Sequence, residues 1–152
     1  MPTYVCSVPN NTLSDTQKQQ IATAITNRHC AATGAPPFFV QVVIEEEGTS
    51  QRFIGALATT QYIWIRVDMR AGRSEKQREE LMLHIVVDVS RISAIPVENV
   101  WVNLCMLEPT DMVEYGRVLP GPGEEQQWFQ TLPLSIRQRL ESLGIDQHQF
   151  QL

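Results

Sequence analysis

A chain of 152 residues with 43% hydrophobic and 19% charged residues can build one domain around a buried core, and it is too apolar to be disordered. A net charge of -5 excludes a general nucleic-acid or anionic-membrane binder, so any anion site must be a local concentration of arginines. Cys6, Cys30 and Cys105 are scattered without a CxxC or metal-ligand spacing, and no apolar run has the twenty residues of a membrane span; reduced thiols in a cytoplasmic protein are expected.

The chain opens Met1-Pro2-Thr3-Tyr4-Val5. A small second residue is the usual cue for removal of the initiator methionine, so Pro2 is expected to begin the mature protein and to carry a rigid secondary amine. An α-amino group titrates near ~7.7–8.0, and burial or a nearby cation lowers that value. The neutral amine can take a proton and the ammonium can give one. Many chains that begin Met-Pro use it for nothing, and these residues alone leave both readings open.

An internal repeat at a spacing of sixty residues follows. Ser14-x-x-Gln17 matches Ser74-x-x-Gln77, each a capping box that opens a helix. Ile21 and Ile25 answer Leu81 and Ile85, Pro36 answers Pro96, and Val40, Val42 and Ile44 answer Val100, Val102 and Leu104. Each half therefore reads strand, helix, strand. Strands are expected at 4–8 and 62–67, helices from Ser14 to about Ala32 and from Ser74 onward, and returning strands at 40–44 and 100–104. A crossover helix makes each strand pair parallel and right-handed. Fused in tandem, the halves predict an α+β fold, a four-stranded mixed sheet with both helices on one face. The uncovered face favours an oligomer. The expected organisation is one domain: repeat one over 2–45, a connector over 46–60 with a short edge strand, repeat two over 61–106, and an extension over 107–152. That extension carries the turn Pro120-Gly121-Pro122-Gly123, a short helix over 135–143 closed by Gly144, and a loose tail over 147–152.

Candidate site residues fall along this frame. Arg66 lies on the third strand, and Arg70-Ala71-Gly72-Arg73 lies between that strand and the capping Ser74, beside the positive end of a helix. Two guanidinium groups there suit a carboxylate, although surface arginines answering Glu75, Glu79 and Glu80 would read the same. If the first and third strands run antiparallel, Pro2 and these arginines share one pocket. His29 falls on the apolar stripe of the first helix, either as a satisfied core histidine or as a neutral hydrogen-bond donor to a substrate oxygen. Cys30 beside it reads better as a core thiol than as a nucleophile. Glu114 is either a base that activates water or a surface carboxylate paired with Arg117. His29, His84 and His148 make no metal pattern, and no metal or organic cofactor is expected.

Taken together, Pro2, Ala24-Ile25-Thr26 with His29 and Thr33-Gly34, Gly72-Arg73-Ser74, Trp101-Val102, Met112-Val113-Glu114-Tyr115-Gly116-Arg117, Leu119-Pro120, Pro122-Gly123 and Trp128-Phe129 resemble the tautomerase superfamily. Within it they are similar to the group of cis-3-chloroacrylic acid dehalogenase, over nearly the whole chain. The resemblance implies a homotrimer of β-α-β-β-α-β chains acting on small carboxylates, either α-keto enols or α,β-unsaturated acids. It implies that Pro2 is catalytic, that Arg70 and Arg73 hold and polarise the carboxylate with help from His29, and that Glu114 activates water. Asn103, where the family carries a tyrosine, and Arg117 complete the candidate substrate-binding set. A shorter Asn103 without a phenolic proton implies that hydration or dehalogenation is weak and that enol–keto activity is easier to detect. The competing reading is a tautomerase-fold interaction protein with a catalytically weak pocket.

Overall fold

The computed structural model of the chain describes residues 2–48, 50–121 and 123–143. Met1, Pro122, Gly144, His148 and the expected tail over 147–152 lie outside the described residues.

The repeat is visible element for element. Strand β1 (Thr3–Val8) leads to helix α1 (Asp15–Thr33) and strand β2 (Gln41–Glu46). A hairpin of β3 (Arg52–Ile54) and β4 (Leu57–Thr59) fills the connector, and β5 (Ile63–Arg70), α2 (Glu75–Ser93) and β6 (Val100–Leu107) repeat the first unit. Both helices have 19 residues and begin with the same reciprocal cap. Gln17 N donates to Ser14 Oγ at 3.2 Å while Ser14 N donates to Gln17 Oε1 at 3.0 Å; Ser74 and Gln77 repeat both distances. The two glutamines also tie the helices together, Gln17 Nε2 donating to Ile92 O at 2.9 Å and Gln77 Nε2 to Ala32 O at 3.4 Å. These contacts exchange under the sixty-residue shift, so the halves are related by an approximate two-fold axis.

The strands form one mixed sheet in the order β2-β1-β5-β6. β1 and β2 are parallel, as are β5 and β6, and β1 runs antiparallel to β5 with Thr3 opposite Asp68. Strand alternation sends Tyr4, Cys6 and Val8 with Ile63, Ile65, Val67 and Met69 under the helices, where they meet Ile21, Ile25, Leu81, Ile85 and Val89. The opposite face carries Trp64 and the exposed Arg66, Trp101 and Asn103. There the Trp64 indole donates to Asn103 Oδ1 at 2.6 Å, and Arg66 pairs with Asp68 at 3.0 Å.

The strands run further than their apolar patterns predict. β5 continues to Arg70 because Asp68, Met69 and Arg70 pair with Cys105, Met106 and Leu107. Arg70 is thus the last residue of a strand, not a loop residue. The connector holds a complete hairpin instead of a single edge strand, turned by Gly55 and Ala56, both at positive φ.

Beyond β6, the extension adds the hairpin of β7 (Val113–Glu114) and β8 (Arg117–Val118), then helices α3 (Glu125–Gln130) and α4 (Leu134–Glu141). Its Leu119, Trp128, Leu132 and Leu140 pack on Phe39, which sits in the 3-10 turn between α1 and β2. This second core anchors the extension against the end of the sheet where β1 starts and β5 ends.

Candidate active site

A cavity opens between the two cores. Its wall contains Pro2 at the start of β1, His29 on α1, Arg70 at the end of β5, Arg73 in the loop before α2, and Glu125 at the start of α3. Ala35, Phe39, Met69 and Leu119 supply the apolar part. The antiparallel pairing of β1 with β5 produces this convergence, because it lays the first residue of one strand beside the last of the other. Pro2 is buried, and its carbonyl accepts from Gln41 N at 3.0 Å.

His29 is 3% exposed and its Nδ1 lies 2.7 Å from Tyr4 Oη. Burial, reinforced by Arg73 and Arg70, lowers the imidazole pKa to about 3, so the ring is neutral at ordinary pH. Tyr4 is fully buried, and burial raises its phenol pKa, so it keeps its proton. Among the described residues Nδ1 is the acceptor available to that hydroxyl. The phenol therefore donates to Nδ1, and the imidazole carries its own proton on Nε2. His29 is a hydrogen-bond donor without being a cation.

The two arginines differ. Arg70 Nη1 donates to Pro120 O at 2.5 Å and to Gly121 O at 3.3 Å, and Nη2 donates to the Glu125 carboxylate. Burial acts to raise the pKa of Glu125, but the hydrogen bond and charge of Arg70 outweigh it and hold the carboxyl below its ordinary value. Arg70 thereby clamps the extension onto the sheet. Arg73 is half-buried, its Nε is shielded from solvent, and that nitrogen meets no hydrogen-bond acceptor among the described residues. Burial, followed by repulsion from Arg70, pushes its pKa down. A cation left short of partners in a cavity favours an incoming anion.

Glu114 is half-buried on β7. Burial raises its pKa, opposed by the charge of Arg70, so its carboxylate lies within electrostatic reach of that guanidinium. Arg117 is exposed and faces Glu114 across the hairpin, while Asn103 lies on the outer sheet face; neither belongs to the cavity wall. His84 is exposed, Cys6 is buried, Cys30 and Cys105 are half-buried, and all three thiols are free. Among the described residues no cluster of His, Cys, Asp or Glu could hold a metal ion, and no helix is long and apolar enough to cross a membrane.

The repeat supplies an internal comparison. Shifted by sixty residues, Pro2, His29, Arg73 and Arg70 correspond to Tyr62, Val89, Leu13 and Asn10. Tyr62, Val89 and Leu13 are buried and apolar, and Asn10 is exposed. The same backbone corner is thus closed by ordinary packing at one end of the molecule and lined with ionisable groups at the other.

Sequence reasoning missed two members of this constellation. Glu125 lies 55 residues from Arg70, and Tyr4 lies 25 from His29. Strand alternation, which points Tyr4 at the helices, was the available signal for the second; the first had none.

The family model described as "Putative oxalocrotonate tautomerase enzyme" matches residues 1–131. The structure of N1, a member of the cis-3-chloroacrylic acid dehalogenase family, superposes with a TM-score of 0.88 at 30% identity, covering 93% of this chain and 99% of that one. Native Ps01740 superposes with a TM-score of 0.68 at 28% identity, over 74% of this chain and 99% of that one. An asymmetric trimer of a fused 4-OT shares the fold with a TM-score of 0.70 at 19% identity, over 76% of this chain and 94% of that one. No curated protein matches. With its sixty-residue repeat and its β-α-β-β-α-β sheet, the chain belongs to the tautomerase superfamily, in the group of cis-3-chloroacrylic acid dehalogenase.

Proposed function

We propose that the protein is a cofactor-free tautomerase of small α-keto-enol carboxylates that uses Pro2 as its amino-terminal base once Met1 is removed. The carrying observation is the convergence of Pro2, His29, Arg70 and Arg73 on one cavity whose repeat-related corner needs none of them. Packing asks for Tyr62, Val89 and Leu13 at those positions, so the ionisable set answers another demand.

In this reading the substrate carboxylate sits on Arg73, with the His29 Nε2–H as a second donor. Arg70 lies beside them and adds positive potential. The two guanidinium groups favour the neutral form of the Pro2 amine. That nitrogen takes the proton of the enol hydroxyl and returns it to C3, so the C2–O bond becomes a carbonyl as the C2–C3 double bond becomes single. The amine ends as it began, and the cycle requires no metal or organic cofactor. Water addition to an unsaturated acid would use the ammonium form of Pro2 as proton donor and Glu114 to activate water, and burial of Glu114 supports its action as a base. Asn103, outside this chain's cavity wall, would act only on a site reached across a subunit interface, and it lacks the phenol of the family tyrosine, so cis-3-chloroacrylate turnover is expected to fall below phenylenolpyruvate ketonisation.

The functional form is a cytoplasmic homotrimer built on the outer sheet face, where the exposed Trp101 lies beside Trp64. Sedimentation should give three times the chain mass. The decisive experiment is labelling of purified protein with a 3-halopropiolate and mass mapping of the adduct. One adduct on Pro2, with Met1 gone, is expected. Methionine-free protein that takes no label would replace this reading with that of a tautomerase-fold interaction protein.

A further inference from the structure

The pocket already contains a carboxylate of its own. Glu125 lines the cavity wall and its carboxylate sits on Arg70 Nη2, with side-chain exposures of 20% for Glu125 and 11% for Arg70. The other guanidinium nitrogen that makes contacts is held by Pro120 O and Gly121 O. A ligand that displaced Glu125 would leave a shielded carboxylate unpaired and would loosen the segment that closes the pocket. Arg73, by contrast, has a buried Nε without an acceptor among the described residues. Arg70 is held by the chain itself, and Arg73 is the guanidinium of the cavity wall left open to an incoming anion.

We propose that Glu125 is a specificity-determining residue of this pocket: by occupying Arg70 it leaves Arg73 as the single anion site and restricts the cavity to monocarboxylates. The inference rests on the reading of the cavity as a carboxylate site. A dicarboxylate would place its second charge against Glu125 and would find no second free guanidinium. Replacing Glu125 by glutamine removes the repulsion and turns Arg70 into a second anion site, while aspartate keeps the charge. Glu125 acts here on which acid is bound, not on the proton transfer.

The test is equilibrium binding of two trans-unsaturated acids, crotonate and fumarate, both fully ionised at neutral pH, measured by calorimetry at fixed ionic strength, with the recovered acids checked for hydration. The wild-type protein should bind crotonate at least about tenfold more tightly than fumarate. E125Q should lower that ratio by about tenfold or more, and E125D should preserve it. A purely structural Glu125 would weaken both acids together and leave the ratio in place. Equal or tighter binding of fumarate by the wild-type protein overturns the proposal without any variant having to fold. A ratio unchanged in folded E125Q also overturns it, while binding of crotonate leaves the carboxylate-pocket reading standing. Failure of both acids to bind the wild-type protein removes that reading and the proposal together.

Discussion

Tyr4 Oη and His29 Nδ1 meet at 2.7 Å in the buried interior, and this contact decides which edge of the imidazole carries a proton. Tyr4→Phe deletes the donor and leaves Nδ1 without its partner. The expected result is a loss of about 1–3 kcal/mol of folding stability, since a buried acceptor goes unsatisfied. Ketonisation should fall roughly tenfold through loss of the oriented His29 donor, without loss of Pro2 labelling. Nitrogen chemical shifts of the His29 ring separate this from general loosening: the wild type should show the proton on Nε2, and the variant a mixture of tautomers.

The same histidine makes the fold sensitive to acid. Its pKa falls from 6.5 in the unfolded chain to about 3 in the folded protein, with burial as the main cause and Arg73 and Arg70 reinforcing it. Between these values the unfolded chain binds a proton that the folded protein refuses, so stability rises with pH. The contribution of neutral His29 is complete above about pH 6.5 and is lost progressively as pH falls toward 3. Asp88, whose carboxyl is held below its ordinary value chiefly by its hydrogen bond to Arg28, adds acid sensitivity of the same sign. Denaturant titrations of wild type and His29→Gln across this range isolate the histidine. The variant should lose less stability on acidification, and parallel curves would contradict the assignment.

Arg70 and Arg73 predict opposite phenotypes. Arg70→Ala removes the clamp on Pro120, Gly121 and Glu125 and leaves a shielded carboxylate unpaired. A destabilisation of about 2–4 kcal/mol is expected, together with loss of activity. Arg73→Ala removes a guanidinium whose buried Nε lacks an acceptor among the described residues, so folding stability should stay within about 0.5 kcal/mol of wild type. Carboxylate turnover should nevertheless fall at least about a hundredfold. Thermal unfolding and single-substrate kinetics on the two variants check this split. Equal loss of stability in both would contradict it.

These contrasts show what the sequence could and could not carry. The repeat was legible because both capping boxes, both returning strands and both helix stripes recur at one spacing. The direction of β1 against β5 was not, since period-two alternation is the same for parallel and antiparallel neighbours. Sequence alone leaves that direction conditional, and it is what brings Pro2 to Arg70. The reach of β5 to Arg70 was hidden because Asp68 and Arg70 look like loop residues until their partners on β6 are known. Helix α3 escaped detection because six residues hold too little of a helical period, and Trp128 and Phe129 are its only large apolar side chains. With α3 unseen, Glu125 had no place near Arg70, and Arg70 and Arg73 read as a matched pair.

The repeat also isolates a small strain. Helix α1 ends at Gly34 with φ of 70°, and α2 ends at the equivalent Ala94 with φ of 59°. The surroundings match in part: Ala35 N donates to Thr33 Oγ1 and Ile95 N to Ser93 Oγ, each at 3.2 Å, while the bond from Gly34 N to Cys30 O at 2.8 Å has no counterpart at Ala94 among the described residues. The backbone therefore demands a left-handed residue in both halves, and only the first half supplies glycine. Ala94 is exposed, so its methyl group contributes little packing to set against the strain. Ala94→Gly should stabilise the fold by about 0.5–1 kcal/mol, the strain relieved exceeding the added freedom of the unfolded chain. Calorimetry should then show a rise in Tm of about 1–4 °C with ketonisation unchanged, because Ala94 lies outside the cavity wall. Gly34→Ala should lose about 1 kcal/mol or more by the same argument. A fall in Tm for Ala94→Gly would mean that the two helix ends are not equivalent in energy despite their shared left-handed backbone.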